Sequence, residues 1–199
     1  MDDGSKDGTD KYIRKHFPDI FYVRHRFNRG GGAALETGLE FVRRHRVSLG
    51  IEFVVTFDAD GQHNIDDISI FLSRFKTEPT IDIIFGSRFI QKTNTNVPLF
   101  RKIILMGGKW FTKFISGVTL TDSHNGYRMF RSSILDNIQL TMDGMEYASE
   151  FIDLIHERGY RIAEVPVNIR YDEYSLGKGQ KSSNAINIAF KMIWKKFFQ

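Results

Sequence analysis

A short run of apolar residues that stops at two acidic residues constrains the fold of this chain more than any other feature. Residues 53–57 read Phe-Val-Val-Thr-Phe, and Asp58-Ala-Asp60 follows at once. Near-continuous apolar runs of this length are typical of strands covered on both faces. A second run, residues 81–85, ends in Gly86-Ser-Arg88. We therefore expect two buried strands with polar residues at their carboxyl ends.

Helical patterns alternate with these extended segments. Helices are predicted at 11–17, 33–46, 65–75, 100–115, 132–138, 145–158 and 184–198, and strands at 20–24, 53–57, 81–85, 127–130 and 161–167. This alternation predicts an α/β fold in which a mixed, mostly parallel sheet carries helices on both faces. The 199 residues, 41% of them hydrophobic, suffice for one core, so we expect a single domain over 1–199. Within it, residues 172–199 are predicted to form a basic loop and a C-terminal amphipathic helix.

The composition excludes some chemistry and limits the choice of partners. Without cysteine, the chain cannot form a disulfide, a thiolate nucleophile or a Cys-based zinc site. The net charge of +4 is spread along the sequence, which does not favour nucleic acid and suits an anionic substrate or membrane surface. No apolar run approaches the roughly 18 residues of a transmembrane helix. We expect a cytoplasmic protein with peripheral contact at the inner face of the cell membrane.

Asp58 and Asp60 form the first candidate site. Because one residue separates them, both carboxylates of an extended chain point to the same side and can share a cation. Mg²⁺ and Mn²⁺ prefer oxygen ligands and also bridge phosphate oxygens. Gln62 and His63 follow closely enough to complete such a site. Taken alone, an acidic turn that caps the next helix explains the pair better.

Two further polar segments fall near predicted strand ends, where ligands bind in open α/β sheets. Asp2 and Asp3 offer carboxylates for ribose hydroxyls or base N–H groups, and the following helix offers free N–H groups. The loop from Asn28 through Gly32 contains three consecutive glycines, Gly30 to Gly32, which permit close approach of the backbone to a ligand. Taken alone, the first segment is better explained by a plain turn with an N-cap, and a lone glycine cluster is weak evidence for a ligand site.

Taken together and in this order, the segments resemble glycosyltransferase family 2, whose members have the Rossmann-like GT-A fold. The matching segments are Asp-Asp-Gly-Ser-x-Asp-Gly-Thr at 2–9, Asn-x-Gly-x-Gly-x-Ala at 28–34, Phe-Asp-Ala-Asp-Gly-Gln-His at 57–63, Gly-Ser-Arg at 86–88 and Asn-Gly-Tyr-Arg at 125–128. The branch resembled is that of dolichyl-phosphate mannosyltransferases and polyprenyl-phosphate sugar transferases. A first strand precedes the 2–9 segment in this family, so the resemblance implies a domain truncated at its N-terminus.

The resemblance implies a donor site built from the matching acidic positions. Asp2 and Asp3 would contact the base and ribose of a UDP- or GDP-sugar. Asn28 and Gly30 would belong to the same nucleotide-sugar site. Asp58 and Asp60 would hold a Mg²⁺ or Mn²⁺ ion and the diphosphate, with Asp60 as the more direct metal ligand.

The resemblance implies that the acceptor oxygen attacks the anomeric carbon in a single displacement with inversion. The catalytic residues that are needed therefore depend on the acceptor. A hydroxyl acceptor needs a general base. Asp122 and, less favourably, Glu150 are candidates, and either is also explained as a solvated carboxylate. A phosphate monoester, with a second pKa near ~6, is largely dianionic at neutral pH and needs only cations to hold it. The candidate cations are Arg88, Arg101, Lys178 and Lys181.

We therefore predict an inverting, metal-dependent hexosyltransferase that acts in cell-surface polysaccharide or glycolipid synthesis. Its acceptor is a polyprenyl phosphate or a glycan, and the catalytic residues are Arg88, Asp122 and Arg128. A nucleotidyltransferase is an alternative enzyme class, although the basic Gly-rich loop expected near its N-terminus is not visible. A nucleotide-binding domain without activity is the alternative outside enzymes. Self-association into a homo-oligomer would cover a sheet position exposed by a lost strand.

Overall fold

The computed structural model describes residues 1–90, 119–123 and 125–170. Four α-helices lie in these ranges: α1 (Thr9–His16), α2 (Gly31–His45), α3 (Ile68–Thr77) and α4 (Tyr147–Glu157). Four strands accompany them: β1 (Phe53–Thr56), β2 (Ile83–Ser87), β3 (Arg128–Arg131) and β4 (Ile162–Pro166). Short 3₁₀ helices span Ile65–Asp67 and Ser132–Asp136. The helices predicted at 100–115 and 184–198, and the basic loop between 172 and 183, lie outside the described residues.

The four strands form one mixed sheet in the order β1-β3-β2-β4. β3 pairs antiparallel with both β1 and β2, whereas β2 and β4 are parallel. Three strands therefore run in one direction and β3 runs against them. This confirms the expected mixed α/β sheet, and the strands at 53–57, 81–85, 127–130 and 161–167 are each found within a few residues of their predicted bounds.

The strand predicted at 20–24 is wrong. Only an isolated parallel bridge joins Asp2 to Arg24, through Asp2 N–H to the Val23 carbonyl oxygen and His25 N–H to the Asp2 carbonyl oxygen, each at 2.9 Å. The β-forming residues of this segment find one paired residue among the described part of the chain. A strand needs a partner along its length, so propensity alone does not establish one.

Helices cover both faces of the sheet, as expected. On one face, α2, α4 and the 3₁₀ helix after β3 pack in a core that includes Leu39, Phe85, Phe130 and Phe151. On the other face, α3 packs in a second core around Phe71. All five residues of β2 are buried, but those of β1 are only half-buried, because β1 is the outer strand of the described sheet. Full coverage of residues 53–57 was therefore a wrong expectation.

One edge of the sheet collects the ends that carry polar residues. β1 and β2 end there, and because β3 is antiparallel, the segment that leads into it from residues 119–123 arrives at the same edge. The topology thus brings Asp58, Arg88 and Asp122 to one side of the molecule. In the part of the chain that the structure describes, no helix has the length and apolar character needed to span a bilayer.

Candidate functional site

Asp58 and Asp60 lie at the mouth of β1 with their carboxylates accessible. The Asp58 side chain is 63% exposed, and its Oδ2 lies 3.8 Å from Nε2 of the buried His63 ring. Asp60 accepts a hydrogen bond from Gln62 N–H at 3.0 Å, which fixes the turn. Gly126 lies so close to Asp58 that a Cβ there would lie 3.3 Å from Asp58 Oδ2. Both carboxylates are thus accessible, and the glycine at 126 leaves room beside that of Asp58.

Burial governs the ionisation of His63, which lies beneath these carboxylates. The ring packs against Tyr127, with centroids 4.8 Å apart. Burial lowers the pKa of His63, although Asp58 and Asp60 oppose the effect by favouring the imidazolium. The backbone of His63 is bridged to Ile169, so the acidic turn is anchored to the chain that follows β4.

Arg88 and Asp122 form a buried, two-pronged ion pair at the same edge. Arg88 Nε donates to Asp122 Oδ2 at 2.6 Å and Nη2 donates to Oδ1 at 2.7 Å. The Arg88 backbone N–H adds a third bond to Oδ2 at 3.1 Å. Only 8% of the Arg88 side chain and 1% of the Asp122 side chain are exposed. Asp122, predicted from the sequence as a general base, is therefore bound to a cation on both of its oxygens.

Arg128, at the start of β3, is fully buried behind this edge. Its guanidinium carbon lies 5.2 Å from the Phe85 ring centroid and 5.0 Å from that of Phe151. Its Nε donates to the Asn125 carbonyl oxygen at 3.2 Å, whereas Nη2 has no hydrogen-bond partner within the described ranges. Burial lowers the pKa of Arg128, although Tyr147, Asp58 and Asp122 oppose it. Its predicted catalytic role remains a prediction.

Asp2 and Asp3 are engaged by the protein itself. Asp2 accepts hydrogen bonds from Ser5 N–H at 2.9 Å and from the Tyr22 hydroxyl. Burial alone would raise the pKa of Asp2, but these bonds outweigh it and lower the pKa to about 2. Asp3 Oδ1 contacts His25 Nδ1 at 2.7 Å, and its Oδ2 accepts from Gly30 N–H at 2.7 Å.

The glycine loop packs against another part of the chain. The Asp143 carbonyl oxygen accepts the Gly32 N–H at 2.9 Å, and so takes up one of the free N–H groups at the start of α2. A Cβ on Gly32 would overlap the Met142 carbonyl oxygen and lie 2.9 Å from Tyr147 Cβ. Absence of side chains here thus allows two backbone segments to meet. Asn28 is exposed, and its donor-binding role, like that of Gly30, remains a prediction.

Tyr147 connects the glycine loop to the sheet edge. A Cβ on Gly31 would lie 3.6 Å from Tyr147 Cε1. Burial raises the pKa of Tyr147, whereas Arg128 lowers it and Asp58 raises it further. The described candidates therefore fall into two groups, around Asp3 and around Asp58, with Tyr147 between them. The predicted acceptor residues Arg101, Lys178 and Lys181 lie outside the described residues.

Sequence reasoning missed several polar residues that hold this site together. His25, Tyr22 and Tyr147 carry no local signal, since their partners are distant in sequence. Glu164 did carry a local signal, because it is the one acidic residue in the otherwise apolar strand β4. Its carboxylate accepts hydrogen bonds from the backbone and hydroxyl of Thr121.

Comparison with known proteins identifies the family. Residues 1–139 match the model of the family described as Glycosyl transferase family 2. The chain is 30% identical to the UDP-N-acetylglucosamine–dolichyl-phosphate N-acetylglucosaminyltransferase of Methanococcus voltae, over 98% of this chain and 83% of that protein. It is also 30% identical to the polyprenol monophosphomannose synthase of Mycolicibacterium smegmatis, over 96% of this chain and 73% of that protein. The chain belongs to glycosyl transferase family 2.

A solved structure supports the fold. Glucosyl-3-phosphoglycerate synthase from Mycobacterium tuberculosis, in complex with Mn²⁺, UDP and glucosyl-3-phosphoglycerate, superposes with a TM-score of 0.62 at 13% identity. The match covers 98% of this chain and 67% of that one, so the chain spans about two thirds of the synthase's length. The shared architecture confirms the GT-A-like α/β fold expected from the sequence.

Proposed function

We propose that this chain is the catalytic domain of a divalent-metal-dependent enzyme that moves a sugar from a nucleotide diphosphate to a polyprenyl phosphate. The observation that carries the proposal is the meeting of acidic and basic groups at one sheet edge, with Asp58 and Asp60 after β1 and Arg88 after β2. Two relatives at 30% identity are named for products on dolichyl phosphate and polyprenol phosphate, which supports the acceptor class.

Asp58 and Asp60 fit a hard divalent cation. Their accessible carboxylate oxygens are the ligands that Mg²⁺ and Mn²⁺ prefer. In the described ranges, no three acidic or histidine side chains lie close enough to enclose an ion, which suits a cation completed by diphosphate oxygens. When bound, such an ion would stabilise the charge that develops on the departing nucleotide diphosphate. The synthase of similar fold is crystallised with Mn²⁺ and UDP, which supports this assignment.

The group around Asp3 is proposed to bind the nucleoside. The Asp3 carboxylate contacts His25 and accepts the Gly30 N–H. These contacts hold it in one orientation at the start of α2. A fixed carboxylate at this position can accept ribose hydroxyls or base N–H groups through its remaining lone pairs. Asp2, buried against Tyr22, would stabilise the loop that carries Asp3 by accepting the Ser5 N–H.

The hydrogen bonds of the two candidate bases, Asp122 and Glu150, favour a phosphate acceptor over a hydroxyl acceptor. A hydroxyl needs a free general base, and the two candidates are both committed. Asp122 is bound on both oxygens by Arg88, and Glu150 accepts three bonds from Thr141 and one from Met142. A phosphate monoester needs no base, because it is already largely dianionic at neutral pH. We therefore propose that the lipid phosphate attacks directly, with inversion at the anomeric carbon.

A lipid acceptor would bring the protein to the inner face of the cell membrane by peripheral contact. The product would then be a lipid-linked sugar for cell-surface polysaccharide or glycolipid synthesis. Inversion is checked by NMR, since an α-configured donor must give a β-linked product. A homo-oligomer stays a prediction for solution measurements such as light scattering.

Binding of the donor is tested by thermal unfolding with UDP, GDP and their sugars, with and without Mn²⁺. At about a hundredfold excess over Kd, a nucleotide stabilises the fold by about 2.7 kcal/mol, or roughly 5–11 °C for a chain of this size. Asp60→Asn should abolish the Mn²⁺-dependent part of the shift. Gly126→Ala should weaken it, because the new methyl group presses on Asp58. A Mn²⁺-dependent shift that Asp60→Asn leaves intact would refute the metal assignment.

A further inference from the structure

Glu164 lies in a row of four residues that crosses the sheet next to the candidate site. Thr56 pairs with Arg128, Arg128 with Phe85, and Phe85 with Glu164, from β1 through β3 and β2 to β4. Paired residues share a face of the sheet. Phe85 belongs to the core on that face, and Glu164 lies half-buried on the same face in the outer strand β4. A carboxylate placed there is costly unless hydrogen bonds compensate for lost water.

Among the described residues, the compensating bonds come from the segment that leads to β3. Thr121 N–H lies 2.9 Å from Glu164 Oε1 and 3.0 Å from Oε2. The Thr121 hydroxyl donates to Oε1 at 2.8 Å, and Asp122 N–H lies 3.3 Å from the same oxygen. Glu164 thus holds both Thr121 and Asp122, and Asp122 is the residue that binds Arg88.

A directed chain of hydrogen bonds joins Glu164 to the other side of Arg88. Phe89 N–H donates to Ser87 Oγ at 3.1 Å, and Ser87 Oγ lies 2.6 Å from Thr121 Oγ1. Because the amide can only donate and the carboxylate accepts, each hydroxyl proton points toward Glu164. Arg88 therefore has both of its chain neighbours fixed by this network, while Asp122 fixes its side chain.

We infer that Glu164 is a positioning residue that sets the orientation of Arg88 through Thr121 and Asp122. This inference rests on the proposed function for its kinetic consequence, because Arg88 is one of the candidate cations for the acceptor phosphate. Removal of the carboxylate frees the 121–122 segment and lets the Arg88–Asp122 pair shift. Small displacements of a positioned group cost much of its rate contribution.

Glu150 provides a matched control. Its carboxylate accepts bonds from Thr141 N–H, the Thr141 hydroxyl and Met142 N–H, which is the same set of donors on another loop. Glu164→Ala and Glu150→Ala should therefore both lose stability, and Glu150→Ala should lose more because Glu150 is buried and Glu164 only half-buried. Glu164→Ala should raise the KM for polyprenyl phosphate by roughly tenfold or more, whereas Glu150→Ala, whose 141–142 loop lies against the glycine loop of the proposed donor site, should leave that KM unchanged. Glu164→Gln keeps one acceptor oxygen for Thr121 and should fall between Glu164→Ala and the wild type.

A second readout does not depend on turnover. The Arg88 Nε–H, bonded to Asp122, should give a ¹⁵N-detected NMR signal that exchanges slowly with solvent, assigned by its loss in Arg88→Lys. Glu164→Ala should accelerate its exchange, and Glu150→Ala should not. Thr121→Val, which breaks the hydroxyl chain but keeps the backbone bond, serves if Glu164→Ala does not fold.

The outcomes separate the two ideas. Unchanged Arg88 exchange in Glu164→Ala and Thr121→Val would overturn the positioning role, and so would unchanged acceptor kinetics in an active enzyme. Wild-type protein that transfers no sugar to polyprenyl phosphate would overturn the proposed function. In that case Arg88 exchange still decides whether Glu164 positions Arg88.

Discussion

Replacing Asp122 by alanine removes both oxygens that receive the Arg88 guanidinium. The pair is buried, because only 8% of the Arg88 side chain and 1% of the Asp122 side chain are exposed. Removing one partner of a buried ion pair costs about 3–5 kcal/mol, because the remaining charge loses its compensation. For a chain of this size that corresponds to a fall in Tm of roughly 6–20 °C.

Urea denaturation of the wild type, both single variants and a paired variant measures this cost. Asp122→Ala and Arg88→Met should each be strongly destabilised. The paired variant Arg88→Met with Asp122→Leu should recover most of the loss, because similar-sized apolar pairs often replace buried ion pairs without penalty. The non-additivity of the cycle then gives the coupling between the two side chains.

Two results would refute this reasoning. If Asp122→Ala unfolds at the wild-type urea concentration, the buried ion pair does not exist in solution. Asp122 is instead a free general base if Asp122→Ala is as stable as the wild type but loses transfer activity. The ratio of wild-type to variant rate should then depend on pH as the titration of a single base. The second result would also favour a hydroxyl acceptor over a phosphate.

Two further predictions concern the glycine loop and the N-terminal acidic pair. Gly32→Ala should destabilise the protein by about 1–3 kcal/mol in urea denaturation, because its methyl group overlaps the Met142 carbonyl oxygen. Gly38→Ala, in the same helix with open space around it, should instead gain about 0.5–1 kcal/mol; equal effects would refute the close packing. The pKa of Asp2 falls on folding from 3.8 to about 2, so its stabilisation is complete above about pH 4 and is lost toward pH 2. The Tm difference between wild type and Tyr22→Phe should therefore be largest at neutral pH and shrink over that window, and a constant difference would contradict it.

Features with a local cause were predictable from the sequence. The apolar runs at 53–57 and 81–85 marked two strands, and the periodicity of 33–46 marked α2, since periodicity reports which face of an element is buried. The acidic pair at 58 and 60 was placed at a strand end because a run of apolar residues stops before it. Because these two strands run in the same direction, their carboxyl ends lie at the same edge of the sheet.

Features with distant partners were not predictable in this way. Arg88 and Asp122 are 34 residues apart, and Glu164 and Thr121 are 43 apart. A local sequence pattern does not predict whether a carboxylate will pair with a cation or accept hydrogen bonds from a loop. Asp122 and Glu150 were therefore both candidate bases, although the fold uses each to hold another group. The same limit explains the strand at 20–24, whose β-forming residues lack an extended partner among the described residues.

Sugar transfer to a lipid phosphate tests the central claim most directly. The protein is incubated with Mn²⁺, a panel of UDP- and GDP-sugars and a short-chain polyprenyl phosphate, and products are identified by mass spectrometry. At least one donor should give a polyprenyl-phosphate sugar with release of the nucleoside diphosphate, and EDTA or Asp60→Asn should suppress it. Transfer to hydroxyl acceptors but not to the lipid phosphate would contradict the account, as would product formation that survives both treatments.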